Sequence, residues 1–217
     1  MKIKLATLFA TASLAFVATQ VQANSLIEGS ADAGKAKSIT CTACHGPEGN
    51  SSSALWPNIA GQNAPYTVAQ LTAFKDSMNA KPGKYARTDP LMSAQAMLLS
   101  EQDMADLAVY FEGLPGAAQS VADPKKVDRG EALYRGGDSE TGASACLACH
   151  GPTGRGNPAA KYPALQGQHA AYTAKQLNDY ASGARTSDGK TSIMRDIAAR
   201  LSKEDIKALS SYVQGLR

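Results

Sequence analysis

The sequence predicts an all-α protein built of two tandem domains of one fold. Three observations carry that prediction. One set of motifs occurs twice in the same order, the apolar residues of the longer segments recur at helical spacing, and neither half shows a convincing strand pattern. The 217 residues are 43% hydrophobic, 19% charged and 6% aromatic, within the range of ordinary globular chains. The formal charge is +3 and there is no Lys/Arg-rich run, which sets nucleic-acid binding aside.

Residues 1–23 read as a secretory signal peptide. Met-Lys-Ile-Lys is followed by an apolar run from Leu5 to Ala18 and by Val21-Gln22-Ala23, a small-residue cleavage site. Thr7, Thr11 and Ser13 interrupt the run, which is shorter than the ~20 residues that a membrane span requires. Cleavage after Ala23 would leave 20 basic and 19 acidic residues, a charge of +1. The mature chain is therefore expected to be exported, to the periplasm.

The first domain is predicted over residues 24–114. A short helical stretch around Gly34 to Ile39 precedes Cys41-Thr42-Ala43-Cys44-His45-Gly46-Pro47, and Pro57 to Gln62 follows as a loop. Tyr66 to Met78 reads as a helix. Ser100-Glu101-Gln102-Asp103 resembles a capping box, and Met104, Leu107, Ala108 and Phe111 follow it at helical spacing. Residues 115–126, rich in small residues and carrying Pro124, form the expected linker.

The second domain, 127–217, repeats this plan. Gly130 to Tyr134 starts it, and Cys146-Leu147-Ala148-Cys149-His150-Gly151-Pro152 answers the first cysteine motif at an offset of 105. Pro163 to Gln168 and Tyr172 to Ala181 follow at an offset of 106. Ser202-Lys203-Glu204-Asp205 then opens a last helix with Ile206, Leu209 and Val213. Asp138 to Ala143 has no equivalent before Cys41.

Four cysteines in an exported chain suggest two disulfides, but the spacing argues otherwise. A Cys-x-x-Cys redox pair belongs in a βαβ setting, which is absent from this reading, and structural zinc wants four closed ligands where each half offers two Cys and one His. Cys-x-x-Cys-His is the attachment signature of c-type haem. Cys41 and Cys44, and Cys146 and Cys149, would bond two haem c groups covalently through thioethers. His45 and His150 would be held under the iron as axial ligands.

With these motifs on the page, the chain resembles the dihaem cytochrome c4 family, two class I cytochrome c domains in tandem. The resemblance implies a cytochrome c-like fold wrapped around each haem, with iron between His and Met. It implies that the carbonyls of Pro57 and Pro163 meet the two imidazoles, and that Gly34 and Gly130 let the first helix of each domain cross the last closely. Met194 is the single Met of the second half, and it lies eight residues before Ser202. Met92 lies eight residues before Ser100 and is the matching choice, with Met97 its rival. Met97 and Met104 are expected in the core. Trp56 and Tyr162 are expected near the haem edge, with Tyr66, Tyr172, Gln62 and Gln168 as candidates for the propionates. His169 is expected at the surface or against a propionate, and most of the Lys and Arg residues on a solvated surface.

An iron held by His and Met has no open position for substrate, which leaves one-electron exchange. The resemblance implies an electron carrier rather than an enzyme, taking electrons from a membrane quinol-oxidising complex and giving them to a terminal cytochrome oxidase, with peripheral membrane association open. Two rival readings are a dihaem subunit of a larger oxidoreductase and a dihaem peroxidase. The second needs an iron that can lose its sixth ligand, whereas each half keeps a Met in register.

Overall fold

Five α-helices in the first half are answered by five in the second, in the same order, in a computed structural model that describes residues 26–79 and 81–217. The predicted signal peptide lies outside these residues. The first set is α1 Ala31–Lys37, α2 Thr42–His45, α3 Ala64–Asp76, α4 Pro90–Met97 and α5 Glu101–Glu112. The second is α6 Val127–Gly136, α7 Leu147–His150, α8 Ala170–Ala181, α9 Ile193–Ala198 and α10 Lys203–Gly215. No strand occurs among the described residues; two isolated bridges, Asp138 with Ala143 and Asn157 with Tyr162, close loops of the second half.

Side-chain caps fix where the principal helices begin. Ser100 and Ser202 accept from the backbone N–H of Asp103 and Asp205, whose carboxylates accept in return from the serine N–H groups. Both predicted capping boxes are therefore formed, at about 1 kcal/mol for a cap of this kind. Asp89 caps α4 by accepting from Leu91 and Met92, and Pro90 at the first helical position has no N–H to satisfy.

In each half the first helix crosses the last. A Cβ on Gly34 would stand 2.1 Å from the Asp106 carbonyl oxygen, and one on Gly130 would stand 2.4 Å from that of Ala208. Only a hydrogen in place of a side chain permits this approach. Behind the second crossing lies a core of Leu133, Tyr134, Leu209, Tyr212, Val213 and Leu216, with the Tyr134 and Tyr212 rings 5.5 Å apart. Each large apolar side chain so buried contributes about 1.5–3 kcal/mol. In the first half α5 turns Met104, Leu107, Ala108 and Phe111 inward.

Three parts differ from expectation. Met104 is a core residue at 2% exposure, but Met97, expected beside it, closes α4 with 48% of its surface exposed. Met97 is the last residue of α4, so its side chain stands at the open end of the helix although Ser93, four residues earlier, is buried. Helices α4 and α9 stand where the sequence predicts no helix. They are short and begin on chain turns organised by Asp89 and by the Asp188–Arg195 ion pair (2.8 Å), not on an apolar periodicity. Residues between the halves are strapped to the second: Gln119 Nε2 donates to the Gly167 carbonyl (2.8 Å), Gln214 Nε2 to that of Ser120 (2.9 Å) and the Asp123 N–H to Ser211 Oγ (2.6 Å).

Candidate haem sites

Each Cys-x-x-Cys-His forms a single helical turn, α2 or α7, with the first Cys at its N-cap and the His as its last residue. Gly46 and Gly151 end these turns at φ 79° and 77°, a backbone conformation that side chains resist. None of the four cysteines is in a disulfide, and all four are partly buried. Burial raises the Cys41 thiol above its ordinary pKa and pushes that of Cys146 up to about 11.

His45 and His150 are buried, at 7% and 6% exposure. His45 Nδ1 lies 2.8 Å from the Pro57 carbonyl oxygen and His150 Nδ1 lies 3.0 Å from that of Pro163. A carbonyl only accepts, so each Nδ1 carries the proton and each Nε2 keeps a lone pair free. Burial holds both imidazoles below the ordinary pKa, so the neutral form that binds iron is favoured. The proline contacts implied by resemblance are present in both halves, and they fix tautomer and ring orientation as the outer partners of metal-bound imidazoles do. The Tyr162 ring lies 6.3 Å from that of His150; Trp56 is half-buried beside Pro57.

Met92 and Met194 both occupy the first turn of a short helix, and both are half-buried. Helix α4 packs on α3 and α9 packs on α8. Each half thus brings a His from a single-turn helix and a Met from a separate helix late in the domain.

Between the halves the chain uses polar side chains in near two-fold order. Gln62 Nε2 donates to the Ala164 carbonyl (3.0 Å) while the Ala164 N–H donates to Gln62 Oε1 (2.8 Å). Gln168 does the same with Asn58, 106 residues before Ala164, at 2.8 and 2.9 Å. These glutamines were candidates for the propionates, and the structure corrects that. A carboxamide matches one peptide donor and one acceptor, and each is spent on the opposite half. His169 is likewise not at the surface; it is buried, with Nε2 3.0 Å from the Ser51 carbonyl oxygen.

Two arginines at this interface escaped the sequence reading, which placed most such residues in solvent. Arg87, in the loop before α4, donates to Gln70 Oε1 (3.0 Å), to Tyr172 OH (3.0 Å) and to Gln176 Oε1 (2.8 Å). Arg185, in the loop before α9, is 5% exposed and donates to Gln176 Oε1 (2.6 Å), Tyr66 OH (2.9 Å), Gln70 Oε1 (2.8 Å) and Ser187 Oγ (2.9 Å). Their separation of 98 residues falls out of step with the motif offsets, so the repeat gave no signal for them. Burial pushes the Tyr66 phenol up, but the Arg185 and Arg87 charges outweigh it and hold the group below the ordinary tyrosine value.

The cytochrome c family model matches the chain twice, over residues 31–115 and 127–217. A cytochrome c4 of Azotobacter vinelandii is 48% identical over 191 residues, 87% of this chain and 90% of that one. The chain belongs to the cytochrome c4 family. The crystal structure of reduced cytochrome c4 from Pseudomonas stutzeri superposes with a TM-score of 0.84 at 46% identity, covering 88% of this chain and all of that one. A thiosulfate dehydrogenase electron acceptor of Thiomonas intermedia is 32% identical over 82% of this chain and 78% of its own length. Family membership makes this a dihaem electron-transfer cytochrome, an electron carrier that works with redox partner proteins and not an enzyme. Its two covalently attached haem c groups fit the residues present. Each half supplies two cysteine sulfurs outside any disulfide and a buried imidazole with Nε2 available.

Proposed function

We propose that the chain is exported to the periplasm by its leader and carries single electrons in a respiratory chain, from a quinol-oxidising complex to a terminal cytochrome oxidase. Cys41 and Cys44 would hold one haem and Cys146 and Cys149 the other. His45 with Met92, and His150 with Met194, would supply the axial ligands. The observation that carries the ligand assignment is the pair of Pro57 and Pro163 contacts, which leaves His45 Nε2 and His150 Nε2 as the free ring nitrogens. Haem supplies the exchangeable electron when bound. The chain's residues would hold it through Cys41, Cys44, Cys146 and Cys149, would offer His and Met to its iron, and bring the two halves together. With His and Met as its ligands the iron would have no position open to substrate, which suits one-electron exchange.

Haem stoichiometry and the absorption band of Met sulfur on ferric iron, near the red end of the oxidised spectrum, test this reading. Two haems per chain and a band that falls by about half in Met92→Ala and in Met194→Ala are expected. Fewer than two covalent haems in the exported protein would overturn it.

A second reading is favoured by the thiosulfate dehydrogenase electron acceptor among the relatives and by a structural match to thiosulfate dehydrogenase of Marichromatium purpuratum, with a TM-score of 0.74 at 28% identity and covering 40% of that chain. In it the carrier serves as the electron-accepting partner of a periplasmic dehydrogenase. Copurification under mild conditions separates the two.

A further inference from the structure

Arg87 and Arg185 form a pair of like charges without a counter-ion. Gln70 Oε1 accepts from both guanidiniums, at 3.0 and 2.8 Å, and Gln176 Oε1 accepts from both, at 2.8 and 2.6 Å. The two cations are thus bridged twice by neutral amide oxygens. Their remaining partners are the hydroxyls of Tyr66, Tyr172 and Ser187 and the faces of the Phe74 and Tyr180 rings, each 4.5 Å from a guanidinium carbon. Among the described residues neither arginine is in an ion pair. The nearest carboxylates along the chain are engaged elsewhere, Asp89 at the α4 cap and Asp188 by Arg195. Buried charges are ordinarily paired, because desolvating an ion is otherwise costly.

The position of the pair identifies what would balance it. Arg87 stands five residues before Met92 and Arg185 nine before Met194, so each leads into the helix that carries a sixth ligand. Asn58 and Ala164, each one residue beyond the proline that orients an axial His, lie in the same interface. The segments next to the axial residues therefore reach the interface at which Arg185 is buried and Arg87 half-buried. The anions that each covalently attached haem brings are its propionate carboxylates, and a guanidinium fork matches a carboxylate in shape and charge.

We propose that Arg87 and Arg185 are the counter-charges of the haem propionates at the domain interface, and that each raises the reduction potential by offsetting propionate charge near the iron. A propionate charge left bare favours the ferric state; a guanidinium beside it restores the ferrous state. Because each arginine is held by residues of the opposite half, neither haem has a potential set by its own domain alone. The proposal rests on haem attachment at both motifs.

The test uses the holoprotein, with haems counted first and the two midpoint potentials then resolved by redox titration. Arg185→Gln and Arg87→Gln should each lower at least one potential while two haems remain attached. Arg185→Lys, which keeps the charge, should restore most of the shift, a rescue that a merely packing role would not give. Redox-difference infrared spectra should show the propionate carboxylate band displaced in Arg185→Gln. Should the glutamine variants fail to fold, Gln70→Glu keeps the side-chain size and sets a carboxylate against both guanidiniums, and it too should lower the potentials. Wild-type potentials in both arginine variants with two haems retained, or in Gln70→Glu, would overturn the proposal. Fewer than two haems in the unaltered protein would strike the attachment reading instead.

Discussion

Replacing Met194 by Ala removes the only methionine sulfur of the second half, and the expected result is one haem with a lowered potential while the other His-Met centre keeps its spectrum. Met92→Ala should do the same to the first. Met97→Ala is the informative control. Its side chain is half exposed at the end of α4, whereas Met92 is half-buried in the first turn, where the Asp89 carboxylate fixes its backbone N–H. Magnetic resonance of the ligand methyl groups distinguishes the two. Loss of a ligand resonance in Met97→Ala would shift the assignment by five residues. The Met92 and Met194 choice came from register against the capping serines, and those serines do cap their helices. Arg185, by contrast, lies in a loop outside every repeated block, and a charged side chain with no sequence mark of burial reads as surface. Its burial depends on Tyr66 and Gln70, 119 and 115 residues away. That pairing is a tertiary fact that no local pattern encodes.

At the scale of the element, the helix crossings make the sharpest claim. Gly130→Val must place a side chain where the Ala208 carbonyl and the Tyr212 Cβ already stand, 2.4 and 2.7 Å from the new Cβ. Overpacking of this kind costs about 1–3 kcal/mol, and thermal melts of the holoprotein should show the second half giving way first. The capping boxes respond to acid. The Lys37 ion pair with Asp103, together with the Ser100 cap, holds the Asp103 carboxyl at about 2, below its ordinary value. Asp205 is also lowered: burial opposes ionisation, and the Arg129 and Ser202 contacts outweigh it. A folded-state pKa below the unfolded one stabilises above about pH 4 and loses that contribution as pH falls through the folded value. Acid titration should therefore destabilise α5 between about pH 4 and 2, and α10 as pH falls below about 4, and Asp103→Asn should be less stable at pH 7 yet flatter across the first window. The long helices were legible because apolar spacing and caps agree along them. Helices α4 and α9 were not, because six to eight residues are too few to show a period, and a helix that short forms only against neighbours. The small core has the same implication. With a single buried cluster of six residues in the second half, haem must complete it, so Cys146→Ala with Cys149→Ala should leave that half protease-sensitive while the first stays folded.

Over the whole molecule the charge is unevenly divided. Residues 24–122 carry six Lys/Arg and nine Asp/Glu, a formal −3, and residues 123–217 carry fourteen and ten, a formal +4. The exposed large apolar side chains Leu26, Ile39, Leu55, Met78, Leu91, Met97 and Leu98 all lie on the acidic half. The two ends of the carrier therefore present different surfaces, one acidic with apolar residues and one basic. A basic surround favours the iron state with less positive charge, so the second haem should be the easier to reduce. Most of these charges are exposed, and a Debye length of ~8 Å at physiological salt confines their effect to near neighbours. Arg87 and Arg185 are drawn from both halves and sit between them, so they act on both centres and leave the ordering to the surrounding charge. Electrons would then enter at the haem of Cys41 and Cys44, cross the polar interface and leave from that of Cys146 and Cys149. Each transfer step with an oppositely charged partner should slow as salt rises, since screening weakens steering. A redox titration that follows the Met92 and Met194 resonances separately tests the order. A higher potential at the Met92 centre would reverse both the ordering and the direction of flow.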